Sequence, residues 1–334
     1  MKAKVCNCLK KILRQLLMII SKSVMKKVNN RKVMLFMPKF GVSIYSISRL
    51  ILNGEITPEQ GVEWLCEHGA EVVEIVPFGI DLLADGGLAG RLKAVAGKYG
   101  VAISNYSLNA NFVMLSKDEL EAEITRVKAH IDEAAKLGAV DFRCDCANFR
   151  RPIEQNTIEK FIEELPDITY AYEHLCEYGK ARNIRILIEN HGFHANGADR
   201  VRLILKNVSS DNFGHQLDVG NYICVDDAPE ASVRKMLPFA STVHMKDFYV
   251  RSKYSDPGDA TQFDCSGSWF RSSGGKYLRG SILGQGDLPI AEIIRDIKAS
   301  GFDGNIYIEY EGIEDCRYGT KVSLENLKRL YAAS

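Results

Sequence analysis

The chain has 334 residues, 46% apolar and 26% charged, enough for one large core or two ordinary ones. Residues 1–40 carry eleven Lys or Arg and no acid, so the balanced total hides an acidic body in which 43 acids face 32 bases, and such a body gives no reason to expect nucleic-acid binding. The nine cysteines are scattered and odd in number, which excludes a secreted disulfide framework and points to a reducing cytoplasm; the C-x-C pairs Cys6/Cys8 and Cys144/Cys146 lack the second pair of a zinc ribbon.

In chain order the basic leader comes first. CLKKILRQLLMIISKSVMKK places Leu9, Ile12, Leu13, Leu16, Leu17, Ile20 and Val24 on one helical stripe. Only seven uncharged residues separate Arg14 from Lys22, too few for a membrane span, and no small-residue cleavage site closes a signal peptide. Residues 1–33 are therefore read as a disordered or loosely docked extension, with contact to an anionic membrane surface as the less favoured alternative.

From residue 34 onward short β-branched runs alternate with helical stretches. The predicted strands are VMLFMPKFGVSIYS, EVVEIV, VAISNYS, AVDFRCD, IRILIEN, HQLDVG, TVHMKD and NIYIEYEG. Gly69, Gly100, Gly138 and Gly301 stand where helices should stop before the next strand. Eight strand–helix units predict a closed (β/α)8 TIM barrel over residues 34–334, in one domain. An open doubly wound sheet would want a G-x-G-x-x-G turn after the first strand, and GVSIYSIS supplies none. Residues 248–287, rich in Gly, Ser, Asp and aromatics, read as a long irregular segment, either a functional lid or a disordered stretch.

Barrel active sites lie at the C-terminal ends of the strands. Glu189 ends the fifth predicted strand, Asp218 the sixth, His244 the seventh and Glu309 the eighth. Each alone has a plain reading as a solvated rim charge, a core histidine or a turn cap. Together, three carboxylates and an imidazole on one rim repel without a cation, so a divalent metal is expected. Oxygen ligands with one nitrogen suit Mn²⁺ first, with Mg²⁺ or Co²⁺ as alternatives. Glu189 is also placed to move a proton. His191, two residues on, shares its parity and either acts as a second acid/base or orients Glu189. Glu309 is taken as ligand and second acid/base; Glu311 is the alternative ligand or a binder of substrate hydroxyls. Lys246 shares the face of His244 and either holds a substrate oxygen or pairs with a carboxylate.

At these residues the chain resembles the xylose isomerase-like sugar phosphate isomerase/epimerase superfamily. The resemblance lies in ILIENHG, GHQLDVGN, TVHMKDF and ILGQGDLPIAEIIRDIKASGFDGNIYIEYEG, and spans roughly residues 37–334. It implies one divalent metal on Glu189, Asp218, His244 and Glu309. It also implies proton abstraction beside a carbonyl through a cis-enediolate, with Glu189 acting on one face of a sugar and Glu309 on the other. Two departures stand out. The best-known epimerases carry a His shortly after the sixth-strand Asp, where this chain has Val219, Gly220 and Asn221. His191 directly after Glu189–Asn190 resembles the catalytic subunits of C-glycoside deglycosidases. The resemblance thus implies an isomerase/epimerase first, and a lyase that eliminates an aglycone from a 3-oxo glycoside second. A barrel that binds sugar without chemistry ranks below both, as does an abasic-site endonuclease, which needs three zinc ions and many histidines.

Glu74, Arg143, Asn221, Asn105, Asn109, Asp145 and Gln285 are further candidates for binding sugar hydroxyls, with a Glu74–Arg143 structural pair as the plain alternative. Gly284 and Gly286 are candidates for backbone contact to a phosphate. Phe112, Trp269 and Phe270 either shape the pocket or pack the core. Barrels of this kind often pair, so a homo-oligomer acting on a small sugar is expected.

Overall fold

The computed structural model describes residues 37–148, 151–255, 257–258 and 267–334; the basic leader and its amphipathic stripe lie outside the described residues. Eight parallel strands close into a barrel: β1 (Phe40–Ser43), β2 (Val72–Ile75), β3 (Ala102–Leu108), β4 (Asp141–Cys144), β5 (Arg185–Glu189), β6 (Phe213–Asp218), β7 (Ala240–Met245) and, last in the chain, β11 (Ile306–Ile308). Around the ring they run β1-β11-β7-β6-β5-β4-β3-β2, so the last strand seals the barrel against the first, with Phe40 opposite Ile306. The strands are buried on both faces, which explains their near-continuous apolar runs.

Helices α1 (Ser48–Leu52), α2 (Pro58–Glu67), α3 (Leu88–Lys98), α4 (Lys117–Leu137), α5 (Ile158–Lys180), α6 (Ala198–Asn207), α7 (Pro229–Met236), α8 (Ile290–Ala299) and α9 (Cys316–Ala333) lie between and after the strands. Their starts are written locally. Thr57 and Gln60 form a reciprocal capping box on α2, and Ser116 and Glu119 form another on α4. Gly138 ends α4 at φ 86, a left-handed conformation that a side chain resists. Among the described residues no helix is long and apolar enough to cross a membrane.

Two expectations change. The first strand stops at Ser43, because Ile44–Ile47 turn into a short 3-10 helix whose Ile44, Ser46 and Ile47 are buried. There Ser46 Oγ donates to Ile308 O at 3.3 Å and accepts from Tyr310 N at 3.0 Å, stitching the turn after β1 to the end of the last barrel strand. The supposedly irregular stretch after residue 246 builds a three-stranded antiparallel sheet, ordered β8 (Asp247–Arg251), β10 (Tyr277–Ser281), β9 (Phe270–Arg271). Its strands are short and broken by Gly and Ser, which masks their periodicity.

Candidate metal centre and active site

Hydrogen bonds between strands that are not neighbours must cross the barrel interior, and several do. Asn105 of β3 donates to Gln216 Oε1 of β6 at 2.6 Å, and His244 Nε2 of β7 lies 2.9 Å from Glu74 Oε2 of β2. Glu74 also accepts from Asn105 at 2.5 Å and from Ser107 at 2.9 Å. The interior near the strand ends is thus a fully buried polar layer. Glu74 has no exposed surface.

Above this layer Glu189, Asp218, His244 and Glu309 converge. One ligand-type atom from each lies within 4.8 Å of all the others. With Nε2 engaged by Glu74, His244 turns Nδ1 toward the cluster, 3.6 Å from Glu189 Oε1, 3.6 Å from Glu309 Oε1 and 3.9 Å from Asp218 Oδ2. Asp218 Oδ1 accepts from the Gly220 and Asn221 N–H groups at 2.8 Å, while its buried Oδ2 accepts no hydrogen bond among the described residues and faces Lys246 Nζ at 3.3 Å. Asn190 clamps the two strands, donating to Asp218 O and accepting from Asp218 N at 2.9 Å each.

Charge decides what this cluster can hold. Six buried or nearly buried carboxyl groups gather here: Glu74, Asp145, Glu189, Asp218, Glu309 and Glu311. Two permanent cations face them. Arg143 pairs with Glu189 and with Asp145 at 2.8 Å. Lys246 Nζ reaches Glu309 at 2.5 Å and Glu311 at 3.2 Å. The shortfall appears in the proton affinities. Burial pushes Glu189 up to about 8 and Glu311 up to about 7, against the pull of Arg143 and Lys246 respectively. Burial opposes charge on His244, yet Glu74 and Glu309 outweigh it and raise the imidazole well above its usual range. Burial likewise opposes charge on Glu309, but Lys246 and His244 hold it well below the usual carboxylate range. The four converging side chains, one with an oxygen lacking a donor, form a buried cluster able to hold one metal ion, whose charge offsets the excess of carboxylates.

His191 sits beside this cluster, its Nδ1 3.1 Å from Asp145 Oδ2. Burial lowers its affinity for a proton, and Asp145 more than restores it. It lines a pocket with Gly192, Phe193, Asn221, Cys224, Phe248, Phe270 and Glu311. Asn221 donates to Glu189 Oε1 at 3.3 Å. A side-chain carbon at Gly220 would collide with Lys246 Cγ, so glycine is needed for the lysine to pass.

The structure brings Glu189, His191, Asn221, Arg143, Lys246, Glu309 and Glu311 to one mouth and puts Glu74 beneath it. The Glu74–Arg143 pair does not form: Glu74 binds Asn105, Ser107 and His244, and Arg143 binds Asp145 and Glu189. Asn105 is interior rather than at the rim. The Gly284 and Gly286 N–H groups both donate to Asp247 Oδ2 at 2.9 Å, so this chain's own carboxylate fills the place expected for a phosphate. Gln285 is exposed. Phe112 is core, edge-on to Tyr172; Trp269 lies under Arg279; Phe270 lines the pocket. Gln216, Phe193 and Phe248 went unrecognised in the sequence, although Gln216 shares the parity of Asp218 in HQLD.

With this geometry in hand, comparisons place the chain. No curated protein sequence matches it. Among solved structures it is similar to a probable 3-DHS dehydratase from Bacillus anthracis, at 15% identity and TM-score 0.64 over 87% of this chain and 99% of that one. It is similar to a 3-keto-D-glucoside 4-epimerase from E. coli, at 12% identity and TM-score 0.63 over 88% and 100%. It is also similar to a xylose isomerase-like TIM barrel protein from Mycobacterium smegmatis in complex with magnesium, at 15% identity and TM-score 0.63 over 90% and 98%. These likenesses carry the fold, and a sequence profile described as xylose isomerase-like TIM barrel matches residues 62–332; the chain belongs to that family.

Proposed function

We propose that the protein is a metal-dependent sugar isomerase or epimerase that moves a proton at the carbon beside a carbonyl. Glu189, Asp218, His244 and Glu309 would hold one divalent ion, Mn²⁺ by first choice. When bound, the ion supplies Lewis-acid stabilisation of the negative charge that develops on the substrate oxygens. The observation that carries the reading is the convergence of two carboxylates on one point from well-separated strands: Glu189 and Glu309 each put an oxygen 3.6 Å from His244 Nδ1.

Glu189 is the base in this reading. Arg143 fixes one of its oxygens, and Asn221 steadies the other. Glu309 acts on the opposite face of the sugar, with Lys246 at 2.5 Å as its proton partner and steadying charge. Lys246 and Glu311 stand where they can hydrogen-bond substrate hydroxyls, and the aromatic rings of Phe248 and Phe270 exclude water from that side. Proton transfer by such groups contributes roughly 10²–10⁴-fold.

In the Mn²⁺-loaded protein incubated in D₂O with ketoses, aldoses and 3-oxo glycosides, deuterium should enter at the carbon beside the carbonyl. Glu189→Gln should lose this exchange by at least about 10²-fold while the barrel keeps its circular dichroism. Wild-type exchange in that variant would remove Glu189 as the base. One observation favours the second reading, a lyase on 3-oxo glycosides: Asp145 fixes His191 through Nδ1, and the imidazole lines the pocket beside the acidic cluster. His191→Ala separates the two. Retained exchange with lost aglycone release supports elimination; retention of both activities leaves His191 as a positioning residue.

A further inference from the structure

The space around the acidic cluster is unequal. The pocket bounded by His191, Asn221, Phe248, Phe270 and Glu311 has a volume of about 30 Å³, room for roughly two water molecules. On the other side of the Asp145–His191 contact, a cavity of about 360 Å³ opens over the ends of β3 and β4. Phe78, Asn109, Asn111, Glu123, Asp145 and Asn148 line it. Phe78 and Asn109 also line a second hollow, of about 770 Å³, that continues past the end of β2. Both lie on the rim that carries the active site, and Asp145 belongs to both the cavity wall and the His191 contact. Small-molecule sites typically measure ~300–1,000 Å³, so the groove over β2–β4 has room for a further ring of its own.

Its lining selects the kind of ring. Phe78 is half-buried and held edge-on against Tyr45, at 5.5 Å and 87°, which leaves a fixed apolar surface. Asn109 is exposed, and its side-chain amide makes no hydrogen bond among the described residues, so it offers two donors and an acceptor. The cation in the lining is already engaged: Arg126 binds Glu123 through Nε at 2.7 Å and Nη2 at 2.8 Å, and Nη2 also donates to Asn109 O. Asp81 and Asp145 add negative charge. A phosphate or carboxylate would meet net repulsion here. A neutral polyhydroxylated ring would find an aromatic platform and a free amide.

The geometry points to a second saccharide subsite over the ends of β2–β4, with Phe78 as platform and Asn109 reading hydroxyls. The substrate is then a disaccharide or glycoside whose reacting ring sits at the acidic cluster. Which ring reacts rests on the isomerase reading; the subsite itself rests on the groove.

The test uses 3-oxo-glucose and the 3-oxo forms of maltose and cellobiose, oxidised on the non-reducing ring. Saturation-transfer NMR on the full Mg²⁺-loaded chain should show saturation of both rings of at least one disaccharide. Its Kd should be at least about tenfold below that of 3-oxo-glucose, equivalent to ~1.4 kcal/mol. Phe78→Ala and Asn109→Ala, checked for folding by thermal melts, should shrink that gap and the signal of the second ring. Equal affinity for one ring and two, a silent second ring, or no binding of any probe would overturn the subsite. Deuterium uptake in parallel samples reads the chemistry separately. Exchange with equal affinities sinks the subsite and keeps the isomerase reading; a saturated second ring without exchange does the reverse.

Discussion

His244 has two ring nitrogens, and only one can face the acidic cluster. Glu74 Oε2 lies 2.9 Å from Nε2, and a carboxylate there is a stronger acceptor for an N–H than any neutral group in the layer. With a metal bound, Nε2 would therefore keep its proton and Nδ1 would be the bare nitrogen toward Glu189, Asp218 and Glu309. Removing the charge while keeping the shape tests this. Glu74→Gln should weaken Mn²⁺ binding ~10–100-fold in calorimetric titration, with the helix signal unchanged. Unchanged affinity would take the role away from Glu74. Gly220→Ala is the companion test of Lys246: the added carbon collides with the lysine stem and should lower affinity and solvent exchange together. Neither effect was visible in the sequence. VVEIV marks Glu74 as inward by parity, but nothing local says that it meets a residue 170 positions away.

The small sheet over the pocket is the element whose sequence reading changed most. Its hairpin between β9 and β10 is tied to the loop after β6 by Asp226, which accepts from Ser272 Oγ at 3.0 Å and Gly274 N at 2.6 Å and faces Lys276 Nζ at 3.3 Å. Ser273 N donates to Cys224 O at 2.8 Å, joining the hairpin to a pocket-lining residue. Phe270 and Phe248 then meet edge to face at 5.7 Å over the pocket. Asp226→Ala should strand these donors. Amide exchange across residues 270–278 should accelerate by roughly tenfold or more, with little change in the melting of the barrel. If exchange there stays at the wild-type rate, the hairpin is held by its packing instead. At the sheet's other end Asp247 takes backbone N–H groups from Gly284, Gly286, Leu288 and Phe248. Burial pushes its carboxyl up to about 6 even so.

At the scale of the whole molecule, acid sensitivity should come from histidines that the fold keeps neutral. His215 is fully buried, with Nδ1 against Ile188 O at 3.0 Å, and burial lowers it from 6.5 to about 4. His130, whose Nδ1 meets Tyr106 Oη at 2.8 Å, is lowered to about 4 for the same reason. Between these values the unfolded chain binds protons that the fold refuses. The histidines' contribution to stability is therefore fully present above pH 6.5 and is lost as the pH drops toward 4, by on the order of 3 kcal/mol for His215. Urea titrations across this window should show the slope, and His215→Asn should flatten part of it. An identical slope in the variant would assign the acid loss to other groups. The acidic cluster gives the complementary prediction. Metal at 100 times its Kd should stabilise the chain by ~2.7 kcal/mol and raise Tm by several degrees, reversed by chelation. A Tm indifferent to Mn²⁺, Mg²⁺ and Co²⁺ would count against the cluster as a metal centre.

The sequence by itself determined the alternation of strand and helix, the closed barrel, and the four strand ends that carry Glu189, Asp218, His244 and Glu309. These are local properties: β-branched runs, caps such as Ser116 and Gly138, and side-chain parity along a strand. Only the tertiary structure decided the partners. Closure of the barrel sets β2 across the interior from β7, which brings Glu74 to His244. It frees Arg143 for Glu189 and Asp145, and lets Asp247 fill the turn at Gly284–Gly286. It also decided that the irregular stretch is a sheet, and that space opens over β2–β4 while the pocket under Phe270 stays narrow. Hydrogen bonds and cavities depend on distances between residues far apart in the chain, and no periodicity records those.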